Sequence, residues 1–456
     1  MKKIIMIFTT ALMLSSCGLY TKYESQTEVP ENLYGEVLSS SRDTTTIAQL
    51  SWKELFQDAQ LQSLIETALA SNTNLLTAQL KVEEAEAALT SARLSYLPSL
   101  SLQPTGTIAG LLEQGGKPSQ TYTLPAVASW EVDIFGRIRN NKERAKMAYS
   151  QSQDYEQAVK TQLVATVANI YYTLLMLDAQ VAITTATEQS WSESLRTAES
   201  MKRAGMMNEA GVAQIRAAYL ATQSGLIELK SQLTKTENAM CLVLASTPKA
   251  IKRGDIESQK FPSYIAIGVP VQMLSLRPDV RMAEASLAQS FYATNIARSA
   301  FYPSVVLSGS VGWTNVISDI VINPAETIYS LVGSLTQPIF NKGMNRAQLK
   351  IAKAQHEEAK LAFQQTLLAA GGEVNDAMIS YQAALAKSTL YTDQVKALEV
   401  ARNSTALTMK HGSTTYLEVL TAEQTLLSAR LQNVANRTSE IQSLIALYSA
   451  LGGGTF

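Results

Sequence analysis

The chain is 456 residues long, 46% hydrophobic and only 17% charged, with 38 basic residues against 39 acidic ones. A net charge of −1 excludes the basic footprint that a nucleic-acid partner requires, and two cysteines, Cys17 and Cys241, exclude a disulfide framework. The two histidines, His356 and His411, lack metal-ligand spacing, so we assign no metal, cofactor or catalytic residue and do not read the chain as an enzyme.

The N-terminus reads as a targeting segment. Lys2 and Lys3 precede an apolar run from Ile4 to Leu14 that is too short to span a bilayer. Leu14-Ser15-Ser16-Cys17-Gly18 follows and has the form of a bacterial lipobox, in which the cysteine is acylated and becomes the mature N-terminus. Residues 1–16 are therefore the signal peptide, Cys17 is the lipidation site, and 17–50, rich in Ser, Thr and Glu, is a lipidated tether. Gly18 after the cysteine, rather than aspartate, favours the outer membrane. No later apolar run reaches 18 residues, so no transmembrane helix is expected.

From Trp52 the apolar residues Leu61, Leu64, Ile65, Ala68 and Leu69 recur at helical spacing, and one helix is expected to run to Tyr96, ahead of Pro98. Strands are expected at 99–109 and 121–133. A helix of roughly 100 Å, at ~1.5 Å per residue, then runs from Arg137 to Ala204, breaks at Gly205 and returns over 210–244. Residues 246–276, with Pro248, Pro262 and Pro270, read as a linker. Arg277-Pro278-Asp279 starts a second series: a helix, strands at 304–315 and 329–337, a long helix from about 346 to 409, a turn at Gly412, and a return helix whose seam runs through Leu417, Leu420, Leu427 and Leu431.

The second series repeats the first. Ala92-Arg93 matches Ala297-Arg298, Pro98 matches Pro303, and Ile134-Phe135 matches Ile339-Phe340, all at an offset of 205. Gly205 matches Gly412 at 207 and Ala217 matches Ala422 at 205, which puts two extra residues at the first tip. The repeats are 51–245 and 277–456. Four strands of about ten residues have the length that spans an outer membrane but cannot close a barrel, for which about eight is the minimum. The chain must oligomerise or keep its strands in a soluble sheet. Trp130, Trp313, Tyr122 and Tyr329 fit an interfacial belt or ordinary packing equally well. Gln153, Gln162, Asn169 and Gln189 on the long helices suit a hollow helical barrel, with a solid coiled-coil stalk as the alternative.

With the lipobox, three segments and the chain's ending carry a family resemblance: Trp130-Glu131-Val132-Asp133-Ile134-Phe135-Gly136-Arg137, Arg277-Pro278-Asp279-Val280-Arg281, Pro338-Ile339-Phe340-Asn341, and Leu447-Tyr448-Ser449-Ala450-Leu451-Gly452-Gly453-Gly454. Together they resemble the TolC family, and within it the OprM/NodT-like outer-membrane lipoproteins of tripartite efflux systems. The resemblance implies an α+β membrane protein. Three chains of four strands each would make a 12-stranded β-barrel continuing into a periplasmic α-helical barrel. It implies a homotrimer in outer-membrane lipid that works with a periplasmic adaptor (membrane fusion protein) and an inner-membrane resistance-nodulation-division transporter. The chain would be a passive exit duct for drugs or other small molecules, with the turns at Gly205 and Gly412 as adaptor-contact tips. The family's paired acidic gate positions fall on Glu418 and Thr421, so only the first acid is kept. The alternatives are a duct for type I protein secretion and a coiled-coil structural lipoprotein without a pore.

Overall fold

A computed structural model describes residues 21–25, 50–110, 119–261, 276–317, 326–411, 414 and 416–453. Cys17, Gly412, most of the tether and 262–275 of the linker lie outside the described residues. In chain order the elements are α1 (Trp52–Leu55), α2 (Ala59–Ser71), α3 (Thr73–Leu94), β1 (Ser99–Leu102), β2 (Thr105–Ala109), β3 (Ser119–Val132), α4 (Arg137–Arg203), α5 (Glu209–Val243), α6 (Pro278–Ser299), β4 (Ser304–Ile317), β5 (Glu326–Thr336), α7 (Met344–Lys410) and α8 (Tyr416–Ala450).

Two expected elements are interrupted, each by a side chain that competes with the backbone ladder. The helix expected from Trp52 to Tyr96 is three helices. Asp58 accepts hydrogen bonds from the N–H groups of Gln60 and Leu61 and so starts α2. Asn72 ends α2 and starts α3: its Oδ1 accepts from Asn74 and Leu75 N–H, and its Nδ2 donates to Val243 O at 2.8 Å. The strand expected over 99–109 is two strands, because Pro104 has no N–H to give to a ladder. Both pieces pair antiparallel with β3.

The repeat is kept in the element lengths. α3 and α6 have 22 residues each, α4 and α7 have 67 each, and α5 and α8 have 35 each. α4 and α7 begin at 137 and 344, and α5 and α8 begin at 209 and 416, an offset of 207 in both cases. The ladders already show this change before α7: Ser99↔Ser129 recurs as Ser304↔Thr336, at offsets of 205 and 207, so the two extra residues lie between β4 and β5, not at the first tip, and Ala217 matches Gln424 rather than Ala422. In this alignment Glu418 corresponds to Gly211 and Thr421 to Gln214.

Contacts divide the chain into two compact units. The first draws on 1–27, 80–153 and 282–365, the second on 28–79, 154–281 and 366–456. The first unit holds one antiparallel sheet in the order β1-β3-β4-β5, with β2 also on β3. The pairing runs from Val132↔Val305 to Gln120↔Ile317 and from Ser304↔Thr336 to Thr314↔Glu326. Gly312 faces Pro125 so closely that a Cβ would lie 2.4 Å from its Cα. The second unit has a core along α4, with Leu163, Val167, Tyr171, Tyr172, Leu174 and Leu175 all buried. By length and composition alone α4 passes as a membrane span, contrary to the reading from sequence. Val167, Tyr171, Tyr172, Leu174 and Leu175 of this helix are buried within the protein.

Return-helix ends use one motif twice. After α5, Ala245 N–H donates to Leu242 O and Ser246 N–H to Cys241 O; after α8, Gly452 N–H donates to Ser449 O and Gly453 N–H to Tyr448 O. This Schellman arrangement needs a left-handed residue, supplied by Ala245 at φ 50 and by Gly452 at φ 77. A Cβ in that conformation costs about 1 kcal/mol. We predict that Ala245→Gly raises the melting temperature of the helical circular dichroism signal, and that Gly452→Ala lowers it, since its new Cβ would also press on the Arg277 backbone at 3.4 Å. No change in either direction would refute the assignment.

Candidate functional site

The sheet separates its side chains by chemistry. Strand alternation and the register put Leu100, Leu102, Ile108, Leu124, Trp130, Leu307, Val311, Trp313, Tyr329, Leu331 and Leu335 on one face. The other face carries Ser99, Ser101, Thr105, Thr107, Thr121, Thr123, Ser129, Ser308, Ser310, Ser330 and Ser334, with Val127, Val306, Ile328 and Val332 between them. The apolar face is bare: Tyr329 and Leu331 are each 86% exposed. On the polar face hydroxyls pair across strands, as between Ser310 and Ser330 at 3.3 Å. Apolar-out and hydroxyl-in alternation is the pattern of a membrane barrel wall, and a soluble sheet would bury that apolar face.

All four aromatic residues singled out from sequence lie on this apolar face. Trp130 marks the helix end of β3, while Tyr122, Trp313 and Tyr329 lie toward the other end. Tyr122 and Trp130 are eight residues apart, about 26 Å along the strand and ~20 Å of height at a tilt near 40°. This is close to the ~25 Å apolar band of outer-membrane barrels, so the belt reading prevails over the packing reading.

The strand-to-helix corner explains the Trp130–Arg137 segment. Trp130 Nε1 donates to Tyr96 O at 2.9 Å. Glu131 accepts two hydrogen bonds from Arg137. The Asp133 carboxylate accepts from Ile138 N–H at 3.0 Å and Arg139 N–H at 2.8 Å, placing an anion on the positive end of α4. Phe135 stacks on Tyr302 with ring centroids 4.9 Å apart.

In the second unit Arg277 joins its own segment, 277–281, to the chain's ending. Its side chain is only 7% exposed. Nη1 donates to Ala450 O at 2.7 Å, Nη2 donates to Asp279 at 2.7 Å and to Glu373 at 2.6 Å, and Nε donates to Asp279 at 3.0 Å. A guanidinium thus caps the negative end of α8, and Thr161 Oγ1 holds Gly453 O at 3.3 Å. Sequence singled out both motifs but not their contact, because 173 residues separate Arg277 from Ala450. Burial pushes the Asp279 carboxyl up, but the Arg277 hydrogen bonds and charge outweigh it and hold it below its ordinary value. Asp58 follows the same pattern: burial raises it, and hydrogen bonds from Tyr171 at 2.7 Å, from Gln259 at 2.8 Å and from backbone N–H groups bring it below normal.

At the first tip Gly205, at φ 72, closes α4: its N–H donates to Lys202 O, and Met206 N–H donates to Met201 O. Asn208 caps α5 through Gly211 N–H at 2.9 Å. Behind the tip Trp191, Ala198, Val212, Ile215 and Ala218 form a buried cluster with Leu420 of α8, flanked by Tyr416. Burial raises the Tyr416 phenol, while its hydrogen bond with Ser194 opposes the shift. Tyr416 and Leu420 are four residues apart and share one face of α8. Glu418 is two residues from each, about 200° around the helix, and is exposed, as is Thr421. The Thr421 hydroxyl donates to Leu417 O at 2.9 Å, so its own helix satisfies it. Leu417 is exposed as well, and the packing seam runs instead through Leu420, Leu426 and Ala429. Cys241 is buried, with its thiol 3.5 Å from Lys249 O. His356 Nδ1 lies 3.0 Å from Ser290 Oγ. Among the described residues no three His, Cys, Asp or Glu side chains converge as metal ligands.

The family model described as outer membrane efflux protein matches residues 64–246 and 269–453. The cation efflux system protein CusC of Escherichia coli strain K12 is 28% identical over 455 residues, covering 98% of both chains. The solvent efflux pump outer membrane protein SrpC of Pseudomonas putida is 28% identical over 457 residues, covering 97% of this chain and 96% of its own. Among solved structures, CusC superposes with a TM-score of 0.84 at 27% identity, covering 95% of this chain and 100% of its own. The open state of the Neisseria gonorrhoeae MtrE outer membrane channel superposes with a TM-score of 0.85 at 27% identity, covering 95% and 99%.

Leu331→Arg sets a charge on the lipid face at a cost of about 2–4 kcal/mol and lowers the amount of folded protein in the outer membrane, whereas Ser330→Arg on the opposite face leaves it near wild type; equal losses would contradict the assignment of faces. Arg277→Ala lowers thermal stability by about 2–3 kcal/mol, less than a fully enclosed pair because the Asp279 and Glu373 side chains are 46% and 59% exposed. Since the folded state depresses Asp279 and Asp58, the stability they contribute is present above about pH 4 and is lost as pH falls below it. A melting curve that rises on acidification below pH 4 would reverse that sign.

Proposed function

The chain belongs to the outer membrane efflux protein family, and we propose that it is the outer-membrane channel of a tripartite efflux pump, a passive exit duct that an inner-membrane transporter drives through a periplasmic adaptor. The observation that carries this reading is the sheet with one bare apolar face and one hydroxyl face. Four strand positions cannot enclose a lumen, and an open edge cannot face lipid. Three copies supply twelve strands. In this assembly the hydroxyl face lines the lumen and the long hairpins form a helical barrel in the periplasm.

The helix surfaces support assembly from copies. Leu220, Ile227 and Leu242 lie exposed on α5, and Leu361, Leu368, Ile379, Leu390, Val400 and Leu407 lie exposed on α7. Such apolar stripes need partners, and neighbouring copies offer the complementary helix. Cys17 carries the acyl anchor. The hairpin turns at Gly205 and Gly412 meet the adaptor, which leaves Glu418, at the start of α8, near the periplasmic aperture.

A ring of three Glu418 carboxylates would favour cations, with Thr421 adding no charge. The related proteins are named for cation, solvent and antibiotic efflux. This spread suits a duct whose cargo is chosen by the pump, and drugs or similar small molecules are the class proposed here. The test is conductance across planar bilayers. Purified wild-type protein is expected to form channels, and Glu418→Ala to raise conductance or lower cation selectivity. No channel events in either protein would favour a structural lipoprotein; channels with both values unchanged would remove Glu418 from the gate.

A further inference from the structure

The chain as a whole is balanced in charge, with 38 basic residues against 39 acidic ones, but the charge is unevenly placed. In the first unit the opening turns of both long helices are basic. Residues 137–153 of α4 carry Arg137, Arg139, Lys142, Arg144 and Lys146 against Glu143 alone, and residues 344–356 of α7 carry Arg346, Lys350 and Lys353 with no acid. Arg139, Lys142 and Lys146 are spaced by three and four, as are Arg346, Lys350 and Lys353, so each set forms a stripe on one face of its helix. At the helix offset of 207, Arg139 matches Arg346 and Lys146 matches Lys353, which makes the stripe part of the repeat.

Contacts at the strand-to-helix corner show which way the α4 stripe faces. Trp130 lies on the apolar face of the sheet, and its Nε1 donates to Tyr96 O at 2.9 Å. Lys142 Nζ lies 5.7 Å from the centre of the Tyr96 ring, so the stripe is on the apolar side. On the hydroxyl side Glu131 binds Arg137, and Arg144, two turns further on, shares the Arg137 face. The repeat gives the α7 stripe the same orientation as the α4 stripe. Lys146, Arg346, Lys350 and Lys353 are exposed, while Arg139 and Lys142 are half-buried, with Lys142 paired to Glu143 at 3.2 Å.

We propose that the two stripes form a collar that binds anionic phospholipid at the periplasmic edge of the barrel, their ammonium and guanidinium groups taking the phosphodiester oxygens of headgroups that carry net negative charge, as in phosphatidylglycerol. This inference rests on the reading of the chain as a membrane-embedded channel and names the lipid chemistry it takes at that edge. The distances suit it. At ~1.5 Å per residue each stripe occupies the span from about 3 to 14 Å along its helix, counted from the helix start below the sheet. The polar layer of a bilayer is ~5–8 Å thick on each side, and charges act over a further ~8 Å at physiological salt. Arginine grips phosphate with two N–H groups, and lysine reaches up to the interface on its flexible stem. The competing occupant is a partner subunit's α3, since that helix carries Glu83, Glu84 and Glu86. The stripes lie on the side of the bare apolar face, which favours lipid.

Quenching of Trp130 by brominated lipids tests the collar. Trp313→Phe leaves Trp130 as the tryptophan on the apolar face. In phosphatidylcholine vesicles, brominated phosphatidylglycerol is expected to quench this protein with an apparent affinity roughly fivefold above brominated phosphatidylcholine, the attraction of one basic group near an anionic surface, and the preference is expected to fall as salt rises. Arg139→Gln, Lys142→Gln and Lys146→Gln together are expected to remove the preference, whereas Arg144→Gln, on the hydroxyl side, keeps it. The α7 stripe is read in the same way from Gln337→Trp, the repeat position of Trp130, with Trp130→Phe and Trp313→Phe in the same chain. Equal quenching by the two lipids, or a loss in Arg144→Gln as large as in the triple variant, overturns the inference and leaves the channel reading standing. So does a preference that survives the triple variant; a lower dissociation temperature of that oligomer in phosphatidylcholine would then give the stripe to the partner subunit's α3. Quenching of Trp130 by neither lipid puts the sheet outside the bilayer and overturns the channel reading itself.

Discussion

A backbone N–H or C=O left unpaired in hydrocarbon costs several kcal/mol, and no side-chain choice removes that cost. This chain carries a sheet whose apolar face commits it to lipid, yet whose two edges are open within one copy. Everything else follows from meeting that constraint. The sheet must continue into further copies, so the strands must repeat, and the repeat of 22-, 67- and 35-residue helices follows the duplicated strands. Side-chain chemistry then divides the work: Leu, Tyr and Trp on one face, Ser and all but one Thr on the other.

The chain ends of the helices are held by charge and by hydrogen bonds rather than by apolar mass. Asp133 holds the start of α4 and Arg277 the end of α8. Each is an ion placed on a helix dipole of opposite sign, and each sits in one of the segments that carry the family resemblance. The Glu418 end differs in kind. Tyr416 and Leu420 fasten one side of α8 into the Trp191 cluster, so the opposite side is left to water and the carboxylate there is available to solutes.

Much of this was legible in sequence, and the reasons are physical. Long helices announce themselves through sustained spacing of apolar residues, and the bounds expected for the long hairpins fall within two residues of those found. Interruptions were not legible where a single side chain decides between two backbone states: Asn72 and Asp58 look like ordinary helix residues until their carboxamide and carboxylate find N–H groups. The placement of the two inserted residues failed for another reason. Ala217 and Ala422 match by letter in an alanine-rich helix, where coincidences are frequent, whereas equal helix lengths admit one alignment. Glu418 could be placed on a face only after Tyr416 and Leu420 were known to face the Trp191 cluster. Leu417 was misread because a heptad count does not say where a seam starts.

The central claim is that copies of this chain close one membrane-embedded ring around a lumen lined by the hydroxyl face. Cryo-electron microscopy of the wild-type protein in lipid nanodiscs tests it most directly. The account predicts a threefold ring with twelve strands at the level of the bilayer, Tyr329 and Leu331 against lipid, and an empty axis bordered by Ser310 and Ser330. A particle with the sheet outside the bilayer, or with Tyr329 and Leu331 turned toward the axis, would contradict it.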